Sequence, residues 1–299
     1  MKERIELWLD PEPLTQLIGS SSIIYFIVSL SILWLAKIIK SRLVSYQLNT
    51  ELTTRDNKAV AVATAGYLLA VMIVIRGVLL SDSELDTSAY SSQLIDVAMT
   101  LAWSLVAIVL LLISAVVNDK FLLHSFSNRK ELIQDRNVGT GAVVAASYIG
   151  TALLISSAVK GASDASFAIE LTDTVVYFIA GQAAFIIMGI FYQKLTSYDI
   201  HAQIEQNNAA AGVSFGMTLV AMALLLSGYL QNNDSLLGFA AWIPLSLILL
   251  FISRFAVDKI VLPQSDINEE IAKDQNWGVA LLEGSVAIGI ALILNASFS

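Results

Sequence analysis

Cysteine is absent from this 299-residue chain, which excludes disulfides, thiolate metal sites and cysteine nucleophiles. Charged residues are scarce at 14%, against about a quarter in an ordinary soluble domain. The sequence has two histidines without ligand-type partners, and it has no phosphate-binding loop or zinc-protease motif. The loops mix both signs of charge and do not resemble a nucleic-acid-binding domain. We therefore expect no metal, no cofactor, no nucleic-acid partner and no enzymatic activity.

Long apolar runs make up most of the chain, which is 56% hydrophobic with a mean hydropathy of +0.72. The runs approach the roughly 20 residues that a helix needs to cross a bilayer, and their continuity excludes an alternating β-barrel pattern. They cover residues 18–38, 58–80, 96–117, 138–160, 172–192, 208–230, 237–256 and 277–297. The sequence predicts an all-α, polytopic helical bundle with eight transmembrane helices, embedded in the lipid bilayer.

Basic residues are concentrated in the long loops, which follow the first, third, fifth and seventh runs. These residues are Lys37, Lys40, Arg42, Arg55, Lys58, Lys120, Arg129, Lys130, Arg136, Lys194, Arg254, Lys259 and Lys273. The short loops are acidic instead. Because lysine and arginine accumulate in cytoplasmic loops, we expect the long loops in the cytoplasm. Both termini would then lie on the periplasmic side of a bacterial inner membrane.

Each even-numbered run opens with an asparagine followed by small residues. These asparagines are Asn57, Asn137, Asn207 and Asn276, and nine residues later come Gly66, Ala146, Gly216 and Ser285. The pattern predicts four parallel hairpins at 18–80, 96–160, 172–230 and 237–297, grouped in units 1–160 and 161–299. A pseudo-symmetry axis would run along the membrane normal. Such hairpins can surround a central path or pack into a solid bundle.

These openings, with the basic linkers before them, resemble the YjfL-like membrane proteins, the domain of unknown function 350 family. The similarity is strongest from Tyr192-Gln-Lys-Leu-Thr to Gln206-Asn-Asn-Ala-Ala-Ala-Gly212 and Phe215-Gly216. Family members commonly carry two hairpins, so the resemblance implies two such units fused in one chain. It implies no activity that could be transferred, and it suggests a membrane-stress protein as a partner.

The repeated asparagines and small residues each allow a structural interpretation. An asparagine at the start of a helix caps it, with an effect of about 1 kcal/mol, but four amides could also form a polar ring at a cytoplasmic entrance. Small residues such as Gly212, Gly216 and Gly284 let membrane helices pack closely.

Intramembrane charge is the strongest indication of function. We expect Arg76 to pair with Asp96 or Asp173, to reach the lipid headgroups, or to contact a substrate. Glu283 lies two turns into the last span, with Arg254 and Lys259 as available partners, and has either a structural hydrogen bond or a proton-coupling role.

Two classes of function fit these features. The chain is either a channel or transporter for a small ion or solute, or a structural and interaction protein that acts through its basic linkers. The first class is slightly favoured. A homo-oligomer and a peripheral cytoplasmic protein partner are both compatible with either class.

Overall fold

The computed structural model describes residues 22–81, 90–159 and 166–298, and in these residues eight helices are long and apolar enough to cross a membrane. The α-helices are α1 Ser22–Leu43, α2 Lys58–Ser81, α3 Tyr90–Val117, α4 Asn128–Ile133, α5 Val138–Ala158, α6 Phe167–Leu195, α7 Ile200–Glu205, α8 Ala209–Asn232, α9 Leu236–Ala256, α10 Ile267–Ala272 and α11 Trp277–Phe298. Short π-helical segments cover Thr50–Thr54, Asn118–Leu122 and Val257–Val261. The predicted all-α membrane bundle is confirmed. Positions 18–21 of the first run lie outside the described residues.

The membrane helices form two layers. Helices α2, α5, α8 and α11 pack side by side in chain order, and we call them the inner row. Helices α3, α6 and α9 each lie against two consecutive members of this row, and α1 lies against α2. The α5–α8 contact joins the two predicted units as closely as the α2–α5 contact joins helices within one unit. We use "linker side" for the end of the bundle that carries α4, α7 and α10.

Small residues allow the helices of the inner row to pack closely against one another. A Cβ added to Gly212 would lie 2.3 Å from Gly139 Cα, and one added to Gly66 would lie 2.4 Å from Ala145 Cα. A Cβ on Gly284 would be 2.4 Å from Met217 Cβ. In a bilayer, where no hydrophobic effect drives helices together, such close approach supplies the van der Waals contact that does. At all three glycines the neighbouring helix is closely packed.

An asparagine caps each helix of the inner row through its side-chain oxygen. Oδ1 of Asn57, Asn137, Asn208 and Asn276 accepts from the backbone N–H three residues later, at 3.1–3.2 Å. Each asparagine follows a residue with positive φ, namely Asp56, Arg136, Asn207 and Gln275. The linker therefore turns sharply immediately before each inner helix begins.

The third cap is Asn208, and the prediction of Asn207 was wrong. Asn207 has φ 65°, in the left-handed region that asparagine tolerates better than most residues, and it ends the linker. The corrected register places Gly216 eight residues after the cap, not nine. It therefore lies on the opposite edge of its helix from Gly66 and Ala146, and a Cβ on Gly216 would approach Ala146 Cβ at 3.1 Å.

The amide nitrogens of three caps connect successive repeats. Nδ2 of Asn57 donates to the Leu132 carbonyl at 2.8 Å, and that of Asn208 donates to the Ile271 carbonyl at 2.8 Å. Asn137 bonds the Ile204 carbonyl in the same way. Each of these carbonyls belongs to the linker of the following repeat, so one side chain both caps a helix and fixes the next linker. The alternative of a polar ring at an entrance is not needed to explain these residues.

Removing this connection should cost more than removing a cap alone. We expect Asn137→Ala to lower the free energy of unfolding by roughly 3 kcal/mol, because the cap is lost and two buried acceptors lose their donor. Asn276→Ala, at an exposed cap, should cost only about 1 kcal/mol. Thermal unfolding of both variants in detergent measures the difference, and equal losses would contradict a linking role for Asn137.

The same amides bond an upstream side chain, and the buried Glu131 gives a pH-dependent prediction. Nδ2 of Asn137 donates to Glu131 Oε2 at 2.8 Å, and burial raises the pKa of this carboxyl. A raised pKa means that ionised Glu131 destabilises the folded state at neutral pH. In the third repeat Gln203 accepts the Asn208 amide instead. Glu131→Gln should therefore raise the unfolding temperature at pH 7, with the gain vanishing below the usual carboxyl pKa of about 4.3.

Glu51 is the matched control, and its replacement by glutamine should change the unfolding temperature in the opposite direction. Burial alone would raise the pKa of Glu51, but the hydrogen bond from Asn57 and the ion pair with Arg55 outweigh burial and lower it. The stabilisation from Glu51 is present above its unfolded pKa and is lost as the pH falls through its folded pKa. Glu51→Gln should thus lower the unfolding temperature at pH 7. If both glutamine variants moved it in one direction, the assignment of the two pKa shifts would be wrong.

Candidate functional site

A buried polar cluster lies near the linker side of the second half of the chain. It contains Tyr192 of α6, Ser214 of α8, Arg254 of α9, Asn268 of α10 and Glu283 of α11, and we call it the Arg254 cluster. Arg254 stands in the last turn of α9, and Glu283 stands two turns into α11. The antiparallel packing of these two spans therefore brings both charges to the same depth in the membrane.

Arg254 is the centre of the hydrogen-bond network. Its Nη1 donates to Glu283 Oε1 and to the Tyr192 hydroxyl at 3.0 Å, and its Nη2 donates to Asn268 Oδ1 at 3.0 Å. The Ser214 hydroxyl donates to Glu283 Oε2 at 2.6 Å and lies 2.5 Å from the Tyr192 hydroxyl. Because Tyr192 accepts from arginine, its own proton points to Ser214, whose proton points to Glu283. The donors are ordered toward an ionised carboxylate.

Both charges are almost fully removed from solvent. Glu283 is 2% exposed and Arg254 is 8% exposed, so each requires the other to offset its desolvation. A narrow cleft beside the pair is lined by Leu195, Thr218 and Ser253, among others. The Ser253 hydroxyl is buried and makes no hydrogen bond within the described residues. The cleft thus has an unused polar group next to a charged pair.

The charge at Glu283 occurs at one of four equivalent positions. Counted from the capping asparagines, the seventh residue is Thr64, Val144, Phe215 or Glu283 in the four inner helices. Ser214, which bonds Glu283, lies one residue earlier, at the sixth position after Asn208. Three of the four helices of the inner row therefore pack in it without a carboxylate at this position.

A second buried cation, Lys40, lies in the first half of the chain, and its position in the sequence indicated only the membrane topology. Its side chain is 5% exposed, with Nζ 4.4 Å from the ring centre of Tyr67 and 4.6 Å from that of Tyr148. Among the described residues no carboxylate forms an ion pair with it. Aligning Leu43-Val-Ser-Tyr46 with Leu195-Thr-Ser-Tyr198 places Lys40 opposite Tyr192, a signal that could have revealed it.

The other predicted charged residues do not join this cluster. Arg76 is exposed on α2, Asp96 is buried on α3, and Asp173 is exposed on α6. Arg76 forms an ion pair with neither carboxylate, so the structure does not support the predicted pairing. Gly212, Gly216 and the other packing residues lie along the inner row and contribute no ligand group. The described part of the chain contains no cluster of metal-ligating side chains.

Sequence comparisons place the chain among bacterial membrane proteins. The profile of the family described as Domain of Unknown Function (DUF350) matches residues 13–159 and 166–298. The UPF0719 inner membrane protein YjfL of Escherichia coli (strain K12) is 30% identical over 113 residues, which cover 37% of this chain and 85% of that protein. A UPF0719 transmembrane protein of Aquifex aeolicus (strain VF5) is 22% identical over 199 residues, which cover 65% of this chain and 71% of that protein. No solved structure matches the chain.

Proposed function

The chain belongs to the DUF350 family of uncharacterised integral membrane proteins, and we propose that it moves a small ion or small solute across the bacterial inner membrane. The Arg254–Glu283 pair is the charge-bearing site in this proposal. The linkers face the cytoplasm and the termini face the periplasm, as the distribution of lysine and arginine favours. We propose no enzymatic activity.

The restriction of the ion pair to one repeat is the observation that carries the proposal. A buried pair stabilises a fold weakly compared with well-packed apolar residues of similar volume. Thr64, Val144 and Phe215 occupy the equivalent positions without an acidic partner, so the inner row does not need Glu283. Ionisable residues that a membrane fold does not need structurally are commonly retained for transport or proton relay.

The contacts of Arg254 suggest how charge at this site could be coupled to movement. Arg254 bonds Asn268 of the linker helix α10 as well as Glu283 of the membrane span α11. Protonating Glu283, or binding an anion to Arg254, would weaken the bond between the two residues and release Arg254 toward the linker. Close packing of small residues closes the interfaces of the inner row, so the proposed path runs between this row and the flanking helices α6 and α9.

Flux across liposomes tests the proposal. We expect purified wild-type protein to carry protons, common cations or common anions, and Glu283→Gln to reduce that flux at least tenfold. Glu269→Gln is the matched control, because Glu269 is an exposed carboxylate on α10 that pairs with Lys273. Circular dichroism establishes that each variant is folded. Equal flux through wild type and a folded Glu283→Gln protein would remove Glu283 from the mechanism.

A structural and interaction role is the second candidate, favoured by the closed packing of the inner row. In that case the folded wild-type protein would show no flux, and its basic linkers would bind anionic lipid or a peripheral protein. The measurement is thermal stability in vesicles with and without an anionic lipid such as phosphatidylglycerol. A rise of several degrees with anionic lipid, together with absent flux, would favour this role over transport.

A further inference from the structure

The three interfaces of the inner row use the same positions on each helix. Counted from the caps, the second residue of one helix meets the fourth of the next, as Gly139 meets Gly212 and Ala59 meets Gly141. The ninth meets the eighth, as Gly66 meets Ala145. The thirteenth residue meets the fifteenth of the next helix, as Gly150 meets Ala223. The twentieth residue meets the nineteenth, as Gly77 meets Ser156. Each helix therefore has a trailing face that receives its successor and a leading face that packs on its predecessor.

The row is open at both ends, so within the described residues one face of each kind has no neighbouring inner helix. The trailing face of α11 carries Gly278 and Ser285, both exposed, and Gly289, where an added Cβ would meet nothing within 4 Å. The leading face of α2 carries Ala61, Ala65, Met72 and Arg76, all exposed. The trailing face of α11 carries small residues along its length. The leading face of α2 carries small residues, Ala61 and Ala65, at the two positions where internal interfaces bring backbones closest.

The hydrogen bonds that join each cap to the next linker also stop at the two ends of the row. Nδ2 of each earlier cap donates to a linker carbonyl of the next repeat, but Asn276 is the last cap and is exposed. Leu132 and Ile271 stand five residues before their own caps. Leu52 stands five residues before Asn57 and belongs to the first linker, and the part of the chain that the structure describes has no cap before it. Asn276 and Leu52 therefore carry the donor and acceptor groups that one further linking bond would use.

Arg76 has a place in the same pattern. It is the nineteenth residue after its cap, and its equivalent Asn295 donates from Nδ2 to the Leu224 carbonyl of the preceding helix at 2.8 Å. The corresponding carbonyl on α11 is that of Leu292, in the last two turns before the helix ends at Phe298. The carbonyl groups in the last turns of a helix carry partial negative charge and attract a cation. A membrane arginine exposed in one chain would thus meet suitable acceptors in another.

We propose that the chain associates head to tail with a second copy of itself, the leading face of α2 packing on the trailing face of α11 of the other copy. The contact continues the inner row with the residue positions used within the chain. Because it joins two different faces, it is a heterologous interface and closes into a ring when the rotation per repeat allows. The partner covers Arg76 and the glycine positions of α11.

Cysteine cross-linking tests this directly, since the native chain has no cysteine. Differently tagged Met72→Cys and Gly289→Cys proteins, mixed in vesicles and oxidised, should give a disulfide-linked band at twice the 32.3 kDa chain mass. The internal counterpart of this pair, Gly150 with Ala223, brings the two Cβ positions to 3.1 Å. Ile179→Cys, 60% exposed on α6, replaces either partner as the control and should give no band.

A second measurement keeps the proposal testable if oxidation is slow within the membrane. Gly289→Leu should convert the wild-type oligomer to monomer, counted by photobleaching steps in dilute vesicles, without lowering the unfolding temperature of the monomer. A wild-type protein that is monomeric in those vesicles would overturn the proposal. So would a Gly289→Cys protein that cross-links to itself as readily as to Met72→Cys, because that contact would be face to face.

Discussion

Replacing Arg254 alone by methionine should lower the free energy of unfolding by roughly 3–5 kcal/mol, the usual effect of removing one member of a buried ion pair. Glu283 would keep the Ser214 hydroxyl as a donor but lose the guanidinium that offsets its desolvation. Tyr192 and Asn268 would each lose a donor as well. Thermal unfolding in detergent, followed by circular dichroism, measures the loss.

The double variant Arg254→Met with Glu283→Leu separates structural stability from activity. Removing both charges takes away the desolvation cost together with the attraction, so most of the lost stability should return. If the site carries transport, this stable protein should still show no flux. A double variant as unstable as Arg254→Met would instead show that the network around Tyr192 and Ser214, not charge balance, determines the loss.

Gly212→Ala should destabilise the centre of the inner row by roughly 1–3 kcal/mol, the typical cost of adding a group to a well-packed core. The new methyl group would lie 2.3 Å from both the Cα and the carbonyl oxygen of Gly139. These are backbone atoms, so no side-chain rotation relieves the contact, and α5 and α8 would have to separate. Thermal unfolding in detergent gives the size of the effect.

Gly289→Ala is the matched control for this substitution. An added Cβ at Gly289 meets nothing within 4 Å, and alanine is a better helix former than glycine by about 1 kcal/mol. We therefore expect this variant to unfold at the same or a higher temperature than wild type. If both substitutions destabilised equally, helix flexibility and not close packing would explain the glycines.

Length and composition were sufficient to predict the spans and their helical class, because a bilayer leaves few ways to satisfy a continuous apolar backbone. The exact register was harder to predict where two asparagines are adjacent. Asn207 and Asn208 both have the chemistry of a cap, and only the backbone turn decides between them. This shift of one residue also moved Gly216 to the other edge of its helix.

Side-chain partners across helices were predicted only in part. Depth in neighbouring spans predicted Arg254 or Lys259 as the partner of Glu283, and Arg254 is the one in contact, because Lys259 pairs with Asp258. Tyr192, Ser214 and Asn268 were missed, because three further elements bring them to the site. The pairing of Arg76 with Asp96 rested on depth alone, and sequence depth does not tell which way a side chain points around its helix.

The linking asparagines also have a consequence for the order in which the protein is made. A ribosome delivers the chain from its N-terminus, so each cap enters the membrane before the linker carbonyl that its amide will bond. Asn57 is synthesised before Leu132, Asn137 before Ile204 and Asn208 before Ile271. The separations in sequence are 75, 67 and 63 residues. Each of the first three hairpins is thus completed by the one synthesised after it, and assembly advances in one direction along the chain.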